Sequence, residues 1–261
     1  MNKHTFAICA YRDSPFLENC MKSLTKQSAK TNIILCTSTP SPYIDNLAWK
    51  YGIPVFVREG ESDIEDDWNF AYETADSQLV TIAHQDDMYH KDYVKTLLAA
   101  EEAYQDMTLF TTDYATVKER TLKAHKGLVE WVKVILRLPL RNPDWNDRTW
   151  VKKAALVFGN SICCPSCTYN KELLGAPLFT SDFRYVLDWD TLRELAEREG
   201  RFICVEKPLI YYRVHGGATT KKWIGDNRRS EEELAMFRKF WPESVVRILE
   251  YFYRKAYGAY D

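Results

Sequence analysis

Between residues 6 and 112, five short apolar runs alternate with four amphipathic segments, and no other feature limits the fold of this chain so narrowly. The runs cover 6–10, 32–37, 55–57, 79–83 and about 108–112 and read as strands. The segments between them read as helices. Ser14-Pro15 and Ser41-Pro42 each place a capping hydroxyl before a proline suited to the first helical position, Gly52 stops the second helix, and residues 63–75 carry an acidic first turn. A fourth helix is expected over 92–102. Right-handed crossovers then leave an α/β fold: a doubly wound, mainly parallel sheet with helices on both faces. Tyr11, Ser38 and Asp86 each follow the carboxyl end of a strand, so all three fall at the edge where open sheets bind ligands. No G-x-G-x-x-G or Walker A pattern follows any strand, which disfavours dinucleotide and P-loop chemistry.

The run at 79–83 ends in His84, Gln85, Asp86 and Asp87. Adjacent carboxylates at a strand end can hold a divalent cation against phosphate oxygens, although the same residues would also make an ordinary acidic turn. Lys+Arg 35 against Asp+Glu 37 leaves a formal charge of -2, no footprint for nucleic acid. The first residues enter a strand without an apolar leader, and no apolar run approaches the roughly 20 residues of a membrane span, so a cytoplasmic protein is expected. Seven cysteines, an odd number, include Cys9, Cys20, Cys36 and Cys204 within apolar segments, so disulfides are not implied. Cys164-Pro-Ser-Cys167 has the C-x-x-C spacing but neither a partner pair for zinc nor a thioredoxin-like strand before it.

Beyond Asp113 the pattern changes. A helix is expected over 124–138, closed by Pro139, with Lys126, Glu130, Lys133, Arg137 and Arg141 on a narrow polar stripe and apolar residues on its other faces. Such a helix is either buried beneath the second half of the chain or a basic interfacial helix on anionic lipid. Residues 142–150 read as a loop, and 151–168 are rich in breakers, which suggests loops around a site. Leu187-Asp188-Trp189-Asp190 opens a further helix, where carboxylates also suit the dipole. Strands are expected at 202–205 and 209–212, followed by Arg213-Val214-His215 and a glycine- and threonine-containing loop through 220. The tail, 229–257, reads as helical with a break at Pro242.

With these residues laid out, the chain resembles the family 2 glycosyltransferases of GT-A fold from residue 6 to about 220. The motifs stand in the family's order: Ala10-Tyr11-Arg12 for its Thr-Tyr-Asn-like turn, Trp68-Asn69-Phe70-Ala71 for its Asn-x-Ala helix, and His84-Gln85-Asp86-Asp87 for its Asp-x-Asp metal motif. Leu187-Asp188 stands for its Glu-Asp pair and Arg213-Val214-His215 for its Arg-x-His loop. The resemblance implies a GT-A-type domain with a C-terminal helical extension: a nucleotide-sugar-binding half over 1–115, an acceptor-side half over 116–220 and a helical tail over 221–261.

It also implies a nucleotide-sugar donor, most often a UDP-sugar, and single displacement with inversion onto a glycan or lipid-linked acceptor. Asp188 would be the general base. Mn²⁺ or Mg²⁺ would be held by Asp86 and His215, with Asp87 as an indirect contributor. Ala10, Tyr11, Arg12, Ser38, Asn69 and Gln85 would join Asp86 around the nucleotide, and Pro165, Ser166, Trp189 and Asp190 would lie on the sugar or acceptor side. The acceptor would be approached through 124–138, with peripheral contact on the cytoplasmic membrane face. The first aspartate of the metal motif is absent, Leu187 replaces the usual glutamate, and Thr37-Ser38-Thr39-Pro40 stands where the family commonly has a base-contacting aspartate. A non-catalytic sugar or nucleotide-sugar-binding module on the same fold is the alternative. A nucleotidyltransferase would carry a Gly-rich, basic loop after the first strand, which Tyr11-Arg12-Asp13-Ser14 is not.

Overall fold

The computed structural model describes residues 2–118, 121–123, 127–215 and 227–257. Its strands are β1 (His4–Ala10), β2 (Asn32–Thr37), β3 (Val55–Val57), β4 (Leu79–His84), β5 (Met88–Tyr89), β6 (Met107–Lys118), β7 (Thr121–Lys123), β8 (Thr168–Asn170) and β9 (Arg201–Val214). The helices are α1 (Leu17–Leu24), α2 (Pro42–Tyr51), α3 (Ile64–Thr74), α4 (Tyr93–Ala103), α5 (Leu128–Arg137), α6 (Thr149–Ala154), α7 (Lys171–Leu174), α8 (Leu187–Glu197), α9 (Asn227–Arg238) and α10 (Glu243–Tyr257).

One sheet has the order β3-β2-β1-β4-β8-β6-β9-β5, with β7 paired to β6. β3, β2, β1 and β4 are parallel. β8 enters antiparallel between β4 and β6, and β9 then runs parallel to β6. The parallel order reverses at β1, which lies between β2 and β4, so a crevice opens beyond the carboxyl ends of β1 and β4.

Alternation along the strands builds two cores. Phe6, Ile8 and Ala10 of β1 face α1, α2 and α4, whose Leu17, Met21, Ile44, Ala48, Val94 and Leu97 complete that layer. Ala7 of β1 and Val80 and Ile82 of β4 face the other layer, with Tyr72 of α3, Trp189 and Leu192 of α8 and Phe237 of α9. The tail packs on this second layer: Trp189 meets the Phe237 ring edge-on at 5.2 Å, and the Trp241 indole donates to the Val157 carbonyl at 2.7 Å.

The Ser41 hydroxyl caps α2 at Ile44 N–H, and Gly52 closes it with φ 62°, as their types require. Ser14-Pro15 behaves differently. α1 starts only at Leu17; the Ser14 hydroxyl accepts the Phe16 N–H at 3.3 Å in the turn before it and donates to Asp86 beyond the carboxyl end of β4. The two strands expected at 202–205 and 209–212 form one, β9; Pro208 lies opposite Asp113 at an irregularity in the β6 ladder, where its missing N–H costs no bond.

α5 reverses the usual polarity of a surface helix. Trp131, Val132, Ile135 and Leu138 are exposed, Trp131 by 58% and Ile135 by 59%, while Arg137 is 1% exposed. Arg137 donates to Asp113 of β6 at 2.8 Å and to the Ser161 carbonyl, and it lies over the Tyr114 ring. Residues 124–126, including Lys126, lie outside the described residues. No helix among the described residues is long and apolar enough to cross a membrane.

Candidate active site

Two sequence-distant turns meet at the β1/β4 crevice. The Gln85 side chain, just past β4, clasps the backbone of Tyr11, just past β1: its carbonyl accepts Tyr11 N–H and its amide donates to Tyr11 C=O, each at 3.0 Å. Arg12 then takes φ 53°, a left-handed conformation uncommon for a residue with a side chain, and its N–H is fixed on Thr39 Oγ1 at 2.7 Å. This leaves Ala10 buried, the Tyr11 ring 45% exposed, and the Arg12 guanidinium 4.9 Å from the Tyr11 centroid.

Asp86 sits at the centre. One carboxylate oxygen accepts from the Ser14 hydroxyl at 3.0 Å and the other lies 3.1 Å from His215 Nε2. Arg213 donates through Nε to Asp86 C=O at 2.9 Å and through its backbone N–H to Asp87 at 2.8 Å. The Arg213 guanidinium and the His215 ring each lie 4.6 Å from the Phe16 ring, so Phe16 seats the end of β9 against the crevice. Asp87 turns inward instead of joining the Asp86–His215 pair: it is 2% exposed, and burial pushes it up to about 8 against the Arg213 N–H bond that favours its charge. Residues 216–220 of the expected loop lie outside the described residues.

His84 is one of the two residues, with Gln85, that stand where the family's first aspartate is expected. Its ring packs 5.0 Å from Trp68 and its Nε2 lies 3.9 Å from Cys164 Sγ; burial pushes it down to about 4, so it is a neutral wall. The segment 160–164 links the two halves of the site, because Cys164 lies against His84 and Asn160, four residues earlier, donates to Asp188 at 2.8 Å. Burial drives Cys163 and Cys164 well above the ordinary thiol range and Cys167 to about 12, so this C-x-x-C segment holds protonated thiols.

Asp188 stands in the first turn of α8, half-buried, and accepts from the Asn160 amide at 2.8 Å. Burial raises its pKa above the usual carboxylate range, although Trp189 N–H, Arg229, Asn160 and Lys133 all favour the ionised form.

Several expected positions are occupied otherwise. Ser38 donates to Asp67 at 2.9 Å, within a cluster that also brings Arg58 and Ser62 onto that carboxylate. Asn69 spends its side chain on the backbone of Leu178 and Phe179, holding the segment before α8. Pro165 and Ser166 are buried: their carbonyls accept from the Tyr89 and Tyr93 hydroxyls, so the turn forms a floor beneath the crevice. Trp189 is 3% exposed, with its indole N–H on Leu156 C=O. Burial opposes charge on Asp190, but bonds from Lys239, Ser181 and Arg193 prevail and hold its pKa low, which makes it a tie between α8 and α9. Phe16 and Asn160 carried no sequence signal for the site, and Ser14 only that of a helix cap, since each reaches it through tertiary contact.

Among the described residues no three His, Cys, Asp or Glu side chains converge as a metal cage. Asp86 and His215 offer an oxygen and a nitrogen donor on one side, an open set that suits a hard divalent cation completed by phosphate oxygens and water.

The family model described as glycosyl transferase family 2 matches residues 5–169. No curated protein sequence matches the chain. Among solved structures, S. aureus TarS 1-349 in complex with UDP-GlcNAc is 13% identical with a TM-score of 0.64, covering 92% of this chain and 71% of that one. The mannosyltransferase PcManGT from Pyrobaculum calidifontis, in complex with GDP-Man and Mn²⁺, is 15% identical with a TM-score of 0.63, covering 95% and 68%. Glucosyl-3-phosphoglycerate synthase from Mycobacterium tuberculosis, with Mn²⁺, UDP and glucosyl-3-phosphoglycerate, is 12% identical with a TM-score of 0.61, covering 92% and 81%.

Proposed function

The chain belongs to glycosyl transferase family 2, and from that premise we propose that it moves a sugar from a nucleotide-sugar, a UDP-sugar by preference, to a hydroxyl of a glycan or lipid-linked acceptor with inversion. The observation that carries the reading is the segment 160–164, whose Cys164 lies against His84 beside Asp86 and whose Asn160 donates to Asp188. A donor diphosphate at Asp86 and an acceptor hydroxyl at Asp188 would thereby flank one space.

The Tyr11 face receives the nucleobase, and the Arg213 guanidinium, tied to the Asp86 carbonyl, supplies positive charge beside the diphosphate. Asp86 and His215 would hold the Mn²⁺ or Mg²⁺, which neutralises charge on the leaving group when bound. Asp188 takes the proton of the acceptor hydroxyl as that oxygen bonds to the anomeric carbon. The bond from that carbon to the phosphate oxygen breaks, and the nucleoside diphosphate leaves with the electron pair. Attack from the face opposite the leaving group inverts the centre.

Calorimetric titration with UDP, GDP and their sugar conjugates, in Mn²⁺ and then in EDTA, tests the donor side. One nucleotide is expected to bind in a metal-dependent way, and Asp86→Ala to weaken it by at least tenfold. Absence of nucleotide binding with metal present would leave only the sugar-binding module.

The outer face of α5 supports the membrane part of the proposal, since Trp131, Val132 and Ile135, with Leu138 just past its end, lie open. Co-sedimentation with anionic vesicles is expected for the native chain and a severalfold reduction for Trp131→Ser/Ile135→Ser. Equal pelleting of the native chain with and without vesicles would remove the membrane from the scheme.

A further inference from the structure

α8 begins without a cap of its own, since Val186 stands at its N-cap position and offers no side-chain acceptor. The acceptor comes from far along the chain. Glu232 of α9 takes three consecutive backbone N–H groups onto one carboxylate: Arg184 at 3.2 Å, Tyr185 at 2.6 Å and Val186 at 3.3 Å. Hydrogen bonds to an ionised acceptor are roughly twice as strong as neutral ones, so this is a firm tie. The tail grips the same turn at two further points. Lys239, one residue past α9, donates to the buried Asp190 at 2.7 Å and lies 4.6 Å from the Phe183 ring, and the Phe237 ring meets Trp189 edge-on.

Asp188 lies between these ties, two residues after Val186 and two before Asp190. Asn160 orients its carboxylate, but the place of its backbone follows from where α8 begins, and Glu232 sets that from another helix. A general base acts only within hydrogen-bond reach of the proton it takes, and a shift near 1 Å can cost about 10²-fold in rate. A serine or aspartate at position 186 would have capped α8 locally. Here the start of the helix depends instead on the docked tail. Both Asp188 and the tail lie beyond residues 5–169, the span that the family model matches.

We infer that Glu232 of α9 is a positioning residue for sugar transfer: by holding the three N–H groups ahead of α8, it fixes the Asp188 carboxylate against the acceptor hydroxyl. This role deepens the glycosyltransferase reading and rests on Asp188 being its base. The C-terminal extension thereby belongs to the acceptor side of the catalytic apparatus, while the donor side at Asp86 does not depend on it.

A double-variant cycle in the full chain tests this. Nucleoside diphosphate release from UDP-glucose, UDP-GlcNAc and GDP-mannose is followed in Mn²⁺, with water as acceptor, for the native chain, Glu232→Ala, Asp188→Asn and the double variant. Glu232→Ala is expected to lower kcat by about 10²-fold with nucleotide affinity within about twofold of native. In the Asp188→Asn background the same change should alter kcat by less than about threefold, because no base remains to be misplaced. Glu232→Gln, which keeps one acceptor oxygen, should recover part of the loss. Unchanged kcat in Glu232→Ala, or an equal loss in both backgrounds, overturns the inference and leaves the enzyme reading standing. Full activity in Asp188→Asn removes the base and the inference together, and failure of the native chain to bind any nucleotide overturns the whole reading. If Glu232→Ala does not fold, Glu232→Gln goes through the same cycle, and a loss independent of Asp188 refutes the assignment. If the native chain binds nucleotide but does not turn over on water, hydrogen exchange decides: the amides of 184–190 should exchange at least about tenfold faster in Glu232→Ala while those of 192–196 stay as in the native chain, and unaltered exchange at 184–190 overturns the inference.

Discussion

Asp188→Asn is expected to lower kcat for sugar transfer by about 10²–10⁴-fold, the range typical for loss of a positioned general base. The substitution keeps size and shape, and an amide oxygen can still accept from Asn160, so α8 keeps its first turn. Nucleotide affinity should stay within twofold, because the proposed donor residues Asp86, Arg213 and Tyr11 lie in another part of the crevice. The native enzyme should also show an acid limb of particular position. Burial raises the Asp188 pKa, and the proposed base acts in its ionised form, so activity should fall as pH drops through that raised value, at higher pH than for an exposed aspartate. The Asn variant should lose this limb. Release of nucleoside diphosphate, measured across pH for the donor identified by titration, reads both effects. A variant retaining kcat within tenfold would show that another group takes the proton.

How far the sequence discloses this site follows from what local patterns encode. The strand–helix alternation, the Ser41 and Gly52 boundaries of α2 and the break at Pro242 depend on neighbouring residues, and the structure has all of them. The arrival of Tyr11, Asp86 and Asp87 beyond the carboxyl ends of β1 and β4 follows from the same alternation. Burial of Pro165 and Ser166 does not, since a breaker-rich turn resembles a surface loop until the hydroxyls of Tyr89 and Tyr93, from another element, satisfy its carbonyls. Ser14 is half legible for a related reason: the turn N–H that its hydroxyl accepts is local, whereas the Asp86 carboxylate to which it donates comes from the fold. For α5, periodicity defines a narrow polar stripe but says nothing about which side meets solvent. Asp113, on a strand more than twenty residues earlier, turns that stripe inward.

Replacing Arg137 should therefore have the largest effect on stability. The guanidinium is almost wholly buried, its ion pair with Asp113 is 2.8 Å long, and the Asp113 side chain is itself only 11% exposed. Arg137→Met keeps much of the packing over Tyr114 but leaves Asp113 and the Ser161 carbonyl without this donor. Removing one partner of a buried pair costs about 3–5 kcal/mol, far more than the pair's net contribution, because the remaining charge stays buried without its counter-ion; Asp113 keeps the Tyr114 N–H, which favours the lower end of that range. In a chain of this size that corresponds to a fall in Tm of roughly 10 °C. The double variant Arg137→Met/Asp113→Leu should recover a large part of the loss, since no charge is then left buried. Urea denaturation of the two single variants and the double one measures the coupling directly. In Arg137→Met, limited proteolysis should cut within 127–141 well before the native chain is cut there, because α5 loses its main polar anchor, and the exposed tryptophan face would move with it. A loss below about 1 kcal/mol would mean that Asp113 finds another donor or water, and that α5 is held chiefly by the rest of its inner face.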